Sequence, residues 1–187
     1  MTIEPPHQHT IREILPPDAV ARHATLLKVW GQGVLICGAS GDGKSDLGLS
    51  LVDRGHQWVA DDLVEFAIVD GRLYGRCPQG FSGFVDIRGL GIINITELYG
   101  EQAVVDGCAL DLVVTLGQGG ERLDGVYGEW RLLGIGVPEL LIPYSGRRNM
   151  PLLIETAVRA NRLRLQGGDP AADFERAAAH RMRQEKA

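Results

Sequence analysis

The chain has 187 residues, 44% of them hydrophobic and 23% charged, with a formal net charge of −5. That balance excludes a disordered tail protein, a coiled coil and a collagen-like fibre, and a chain this long buries roughly 70% of its unfolded surface without disulfides or a structural metal. The negative charge disfavours nucleic acid as a partner; no run approaches the ~18 apolar residues of a membrane span, and no basic-then-apolar leader opens the chain. Residues 1–18 carry four prolines and no periodicity, which predicts an extended arm over 1–19 ahead of one domain over 20–187. Apolar runs at 25–30 and 33–37, split by Gly31-Gln32, predict a hairpin. A glycine-rich stretch, 38–45, leads into 46–54, where leucines recur at helical spacing and Gly55 stands as a C-terminal cap. A short apolar run, 58–60, ends at Asp61-Asp62.

Further along, 63–68 and 72–76 flank Asp70-Gly71 and predict a second hairpin. Residues 81–95 read as a shaped loop flanking short strands. Residues 110–116 read as a strand, 117–120 as a flexible break, and 130–143 as strand-like runs around Pro138. Two helices close the chain: one capped by Asn149 with Pro151 near its start and Gly167-Gly168 after it, one opened by Asp169-Pro170. The predicted class is α/β: a central mixed sheet with flanking helices and two C-terminal helices. Residues 147–187 hold nine Lys/Arg against five Asp/Glu, the rest ten against nineteen. This basic segment on an acidic body is either a solvated helix surface or a docking surface for an acidic partner. Cys37, Cys77 and Cys108 are odd in number and form no CxxC, which fits reduced thiols in a cytosolic protein.

Gly38-Ala39-Ser40-Gly41-Asp42-Gly43-Lys44-Ser45 fits the phosphate-loop pattern GxxxxGK[ST], with the apolar strand before it and the helix after it that the mechanism needs. The glycines let backbone N–H groups turn toward phosphate oxygens, and the helix offers its positive end. Lys44 is placed to reach the β/γ-phosphates of ATP and Ser45 to ligate Mg²⁺. Asp61-Asp62, at the end of the next strand, supply a metal ligand or a base for an attacking hydroxyl. Strand alternation allows only one of them to face the nucleotide.

The loop, together with 33–36, Arg54-Gly55-His56, Val59-Ala60-Asp61-Asp62, Ile87-Arg88-Gly89-Leu90-Gly91-Ile92-Ile93-Asn94 and His23, 21 residues before the loop lysine, resembles the HPr kinase/phosphorylase family over about 20–175. The resemblance is to that family's C-terminal catalytic domain, in short forms without the N-terminal domain. It implies an ATP- and Mg²⁺-dependent kinase of a serine on HPr, a small phosphocarrier protein. It also implies the reverse reaction with inorganic phosphate, giving pyrophosphate, and assembly as a homohexamer in the cytoplasm. By the same resemblance Asp62 is the catalytic acid/base, with His23, Lys44 and Arg122 as further catalytic residues. Ser45 and Asp86 are the metal ligands, and Arg148 and Asn149 end a segment tied to dephosphorylation. Asp86 stands where the family has Glu, and Tyr144-Ser145-Gly146-Arg147 replaces a stretch that usually carries a lysine followed by Pro-Gly. Trp30 and Tyr144 are aromatic candidates for adenine stacking, with core packing the commoner role; Arg88 is a candidate partner of Asp61 or Asp62. Two other functions compete: a kinase of another serine protein or a hydroxyl metabolite, and a non-enzymatic ATP-binding regulator.

Overall fold

Three tight turns place two successive residues at positive φ: Trp30 (50°) and Gly31 (81°), Asp70 (50°) and Gly71 (75°), Leu133 (50°) and Gly134 (79°). Positive φ at both central positions gives a twist that matches two antiparallel strands, so each turn closes a hairpin. The structure is a computed structural model that describes residues 19–118, 127–144 and 148–184. Its elements in chain order are β1 (Val20–Arg22), β2 (Thr25–Val29), β3 (Gln32–Cys37), α1 (Lys44–Asp53), β4 (Gln57–Ala60), β5 (Val64–Val69), β6 (Arg72–Arg76), β7 (Phe84–Ile87), β8 (Gly91–Asn94), α2 (Ile95–Tyr99), β9 (Gly107–Gln118), β10 (Tyr127–Leu132), β11 (Ile135–Tyr144), α3 (Met150–Leu165) and α4 (Pro170–Gln184).

Among the described residues, nine strands join in one sheet in the order β1-β5-β6-β9-β3-β2-β4. There β11 pairs with β9, and β10 with β11, while β7 and β8 form a separate hairpin. Strand β9 is parallel to β3 and to β11, and β2 is antiparallel to both β3 and β4. Thus β3, β4, β9 and β11 all run one way, and their C-terminal ends share one edge. That is the edge where ligands bind in open α/β sheets. The mixed sheet and its helices are the α/β architecture the sequence predicts.

Alternating side chains fill two cores. Val34, Ile36, Leu112 and Val114 pack under Leu47 and Leu51 of α1 and Ile154 and Val158 of α3. Leu35, Val59 and Val113 pack on the other face with Phe66 and Leu73 from β5 and β6. Being covered on both faces, β9 reads as a near-continuous apolar run, as parallel strands do. Helix α1 lies close on β4: a Cβ at Gly48 would stand 2.7 Å from the buried Trp58 ring. The far end of α1 is clamped to α3. Glu155 accepts from Arg54 Nε (2.8 Å) and Nη2 (2.6 Å) and lies 2.9 Å from His56 Nε2. The Arg54 guanidinium, with His56 beside it, holds the Glu155 carboxyl down at about 2 against the opposing effect of burial.

Several boundaries shift from the sequence expectation. The first hairpin turns at Trp30-Gly31 rather than Gly31-Gln32. Helix α1 starts at Lys44, because left-handed Gly43 (φ 72°) delivers the chain directly into the first turn. Strand β9 continues through Gly117, so the rest of the expected break, 119–120, lies outside the described residues. The run 130–143 is two strands folded at Leu133-Gly134. Residues 81–95 form the β7–β8 hairpin. Asn94 then caps α2, accepting from the Thr96 N–H at 3.0 Å. The caps of the last two helices are as expected: Asn149 accepts from the Leu152 N–H (3.2 Å) and Asp169 from the Ala172 N–H (3.1 Å). Among the described residues, no helix is long and apolar enough to cross a membrane.

Candidate active site

Past Cys37 the chain turns through Gly41 (φ 89°) and Gly43 (φ 72°), conformations open to glycine without steric penalty. The unpaired N–H groups that begin α1 therefore face the loop, together with the positive end of the helix. Lys44 is only 6% exposed. Its ammonium donates to the carbonyls of Gly38 (3.2 Å) and Ala39 (3.0 Å), while the Ala39 N–H donates to Asp42 Oδ2 (2.7 Å). A buried cation held by carbonyl dipoles readily exchanges them for a phosphate oxygen, which adds a full negative charge.

Asp61 and Asp62 leave β4 at the same edge. Asp61 bridges three elements: its Oδ2 accepts from Ser45 Oγ (2.6 Å) and its Oδ1 from Thr25 Oγ1 (2.5 Å). Asp62 has φ 61°, a left-handed conformation that few non-glycine residues adopt and that marks functional turns. Strand alternation therefore stops at Ala60. Asp62 lines the phosphate cleft while Asp61 is held by Thr25 and Ser45, the division of the pair that the sequence predicts. Asp62 Oδ1 lies 3.2 Å from His23 Nε2, which comes from the turn between β1 and β2. Both side chains are exposed, 58% for His23 and 74% for Asp62, so they remain accessible to a reactant.

Lys44, Ser45, His23, Asp62 and Asp86 line one cleft of about 320 Å³, with Ser40, Gly41 and Gly43 on its floor. Arg88 also lines it, with its Nη2 3.7 Å from where a Gly41 Cβ would stand. Among the described residues the side-chain bonds of Asp61 and Asp62 go to Thr25, Ser45 and His23, and Arg88 lines the cleft. The sequence signal for it was its place in the Ile87–Asn94 run; the demand for cations around a phosphoryl group made it eligible. Arg122 lies outside the described residues, as do Arg147 and the side chain of Tyr144. Asn149 caps α3. Trp30 sits at the opposite end of β2, with the Arg159 guanidinium 4.6 Å above its ring, away from the loop.

The donors near Ser45 are hard oxygens: its own hydroxyl, Asp61 Oδ2 against it, and Asp86 across the cleft. They fit Mg²⁺, which takes one or two carboxylates and completes its shell with water and substrate phosphates. No group of three or more His, Cys, Asp or Glu forms a ready-made metal cage among the described residues. Asp61 is the carboxylate in direct contact with Ser45. Burial and the nearby Glu139 push the thiol of Cys37, next to the loop, up to about 11, away from the thiolate form.

A cradle for phosphates, a buried lysine, oxygen donors for a cation and an accessible carboxylate make a site suited to phosphoryl transfer. Comparison with known proteins agrees. Residues 17–178 match the model of the HPr serine kinase C-terminal domain. The HPr kinase/phosphorylase of Leptospira biflexa is 38% identical over 161 residues, 82% of this chain and 50% of that protein. That of Stenotrophomonas maltophilia is 39% identical over 175 residues, 89% of this chain and 55% of that protein. The chain thus spans about half the length of the curated relatives it matches. The solved structure of the Hpr(Ser) kinase/phosphatase from Coxiella burnetii aligns with a TM-score of 0.76 at 39% identity, covering 83% of this chain and 98% of that one.

Proposed function

The chain belongs to the HPr serine kinase C-terminal domain family, and from that premise we propose that it transfers the γ-phosphoryl group of ATP to a serine of an HPr-like phosphocarrier protein. The observation that carries the reading is the placing of Asp62, beside His23, in the same cleft as Lys44 and Ser45. A protein that only senses ATP needs the loop but no accessible carboxylate beside it.

In the forward direction the serine Oγ attacks the γ-phosphorus as the bond to the β,γ-bridging oxygen breaks. Asp62 takes the serine proton and ADP departs. Lys44 binds β/γ-phosphate oxygens, and Arg88, with Arg122 from outside the described residues, adds positive charge where it builds up. His23 orients Asp62 through their 3.2 Å contact. Ser45, Asp61 and Asp86 would hold Mg²⁺, which neutralises phosphate charge when bound. In reverse, inorganic phosphate attacks the phosphoserine phosphorus, Asp62 returns a proton to the serine oxygen, and pyrophosphate forms. Residues 20–187 act as one catalytic domain.

The proposal extends to assembly and place. Helix α4 buries none of its residues and leaves Phe174 and Met182 exposed, which supports the homohexamer that the resemblance implies. The cysteines are free, in keeping with a cytoplasmic protein. The test is transfer of label from γ-labelled ATP to purified HPr, and then release of pyrophosphate from phospho-HPr on adding phosphate. Labelled HPr that disappears with Asp62→Ala supports the kinase; tight ATP binding with no transfer to any carrier overturns it in favour of the regulator.

A further inference from the structure

The phosphate-loop pattern fixes its glycines, its lysine and its hydroxyl but leaves open the position that Asp42 fills. A carboxylate is an odd choice there, because the ligand of such a loop is a polyanion.

The local geometry shows how it is held. The Asp42 N–H donates to the Ala39 carbonyl (3.3 Å), with Gly41 at φ 89° in third place, which closes a tight turn over 39–42. The Asp42 carboxylate returns the bond: its Oδ2 accepts from the Ala39 N–H at 2.7 Å, a charge-assisted length. A Cβ at Gly38 would stand 2.9 Å from the same oxygen, so the loop is folded around the carboxylate. Asp42 is half-buried and, among the described residues, stands outside the cleft that Ser40, Gly41, Gly43 and Lys44 line. It therefore lies behind the cradle, where it neither meets the reacting atoms nor holds the cation beside Ser45. The turn itself does not require the charge, since asparagine makes the same side-chain bond and is as much at home in turns. What only the carboxylate supplies is a fixed negative charge next to Gly41 and Gly43, inside the ~10 Å over which 0.1 M salt screens it.

We propose that Asp42 is a specificity-determining residue, whose fixed charge makes the loop select the metal-bound triphosphate over the metal-free one. The inference rests on the reading of the loop as an ATP cradle. Metal-free ATP brings about four negative charges to the loop and MgATP about two, so one fixed carboxylate repels the first about twice as strongly. Lys44, Arg88 and the positive end of α1 act in the opposite sense, drawing in the more charged form, and Asp42 offsets that bias. The selection serves the reaction. Only the metal-bound form brings the cation that Ser45, Asp61 and Asp86 are placed to hold, so metal-free ATP in the cradle is an unproductive occupant.

The test measures the Kd of ATP with excess Mg²⁺ and with EDTA, by displacement of a fluorescent nucleotide from the full chain. The variants are Asp42→Asn, Asp42→Ala and Asp42→Glu, with Asp53→Asn, exposed at the other end of α1, as the charge control. The ratio of the metal-free Kd to the MgATP Kd should fall about threefold in Asp42→Asn and Asp42→Ala alike, and the difference should shrink as salt is raised. It should be unchanged in Asp42→Glu, which keeps the charge, and in Asp53→Asn. A loop merely loosened by losing the Ala39 bond weakens both forms together and leaves the ratio where it was. A ratio in Asp42→Asn equal to that of the unaltered chain overturns the inference, and so does an equal fall in Asp53→Asn, which makes it an effect of net charge. The predicted ratios without any transfer to HPr overturn the kinase reading and still support this inference; no binding of ATP in either form overturns both.

Discussion

Replacing Glu155 by Gln tests the clamp that holds the phosphate-loop helix. Glu155 is buried, accepts two bonds from Arg54 and meets His56, itself buried at the C-terminal end of α1. Its carboxyl falls from 4.5 to about 2, chiefly through the Arg54 hydrogen bond. By linkage that difference is worth about 3 kcal/mol at neutral pH. The sign is that of a depressed carboxylate: the contribution is complete above about pH 5 and fades as pH falls from 4.5 toward 2. Because the Arg54 side chain is 41% exposed, salt screening trims its part, so the loss in Glu155→Gln at pH 7 should lie at or below that figure. For a chain this long it corresponds to a Tm lowered by roughly 5–10 °C. Urea denaturation of both proteins at pH 7, 5, 4 and 3 gives the direct measure. The gap between them should narrow steadily below pH 5. A gap constant from pH 7 to 3, or none at pH 7, refutes the electrostatic account and leaves Glu155 as packing alone.

Asp62→Ala should abolish transfer to HPr while leaving ATP affinity within a few-fold, as seen by fluorescent-nucleotide titration alongside the label assay. Asp61→Asn should raise the Mg²⁺ concentration needed for half-maximal ATP binding by about tenfold, since Ser45 loses its carboxylate partner; an unchanged Mg²⁺ titration would count against Asp61 as a cation ligand. Gly48→Ala brings a methyl to 2.7 Å from the fully buried Trp58 ring. Overpacking of about 1–3 kcal/mol should outweigh the ~1 kcal/mol gain in helix propensity and lower the urea midpoint; a higher midpoint would show that the ring can shift.

What could be read in advance was local chemistry. The loop 38–45 announces itself because each residue's role is set by neighbours in sequence, and the caps at Asn149 and Asp169 are legible for the same reason. Asp70-Gly71 gave its hairpin away through residues that tolerate positive φ. Leu133-Gly134 makes the same turn with a leucine at φ 50°, where leucine is rare, and so the sequence places the strand-like runs of 130–143 around Pro138 rather than on either side of this turn. The bonds of Asp61 to Thr25 and Ser45 join residues far apart in the chain, which no local pattern marks. The left-handed backbone at the exposed Asp62, a conformation aspartate tolerates, is not something a periodicity argument registers. The Glu155 clamp joins residues about a hundred positions apart, and no local pattern marks it.

These contacts give physical content to the motifs that carry the family resemblance. Arg54 and His56 of the first motif hold the end of α1 to α3, and so hold the helix whose other end presents Lys44 and Ser45. Asp61 and Asp62 of the second divide the work, one bonded to Ser45 and the other in contact with His23. Arg88 of the third, with Asp86 just ahead of that motif, closes the cleft from the β7–β8 hairpin. The motifs are far apart in the chain and of different chemistry, yet all depend on the position of one ten-residue helix. A loosened clamp should therefore show itself twice, as lost stability and as weaker MgATP binding, although Glu155 lies at the end of α1 remote from the nucleotide. Weakened MgATP binding in Glu155→Gln at a temperature where the variant is fully folded would separate this coupling from simple unfolding.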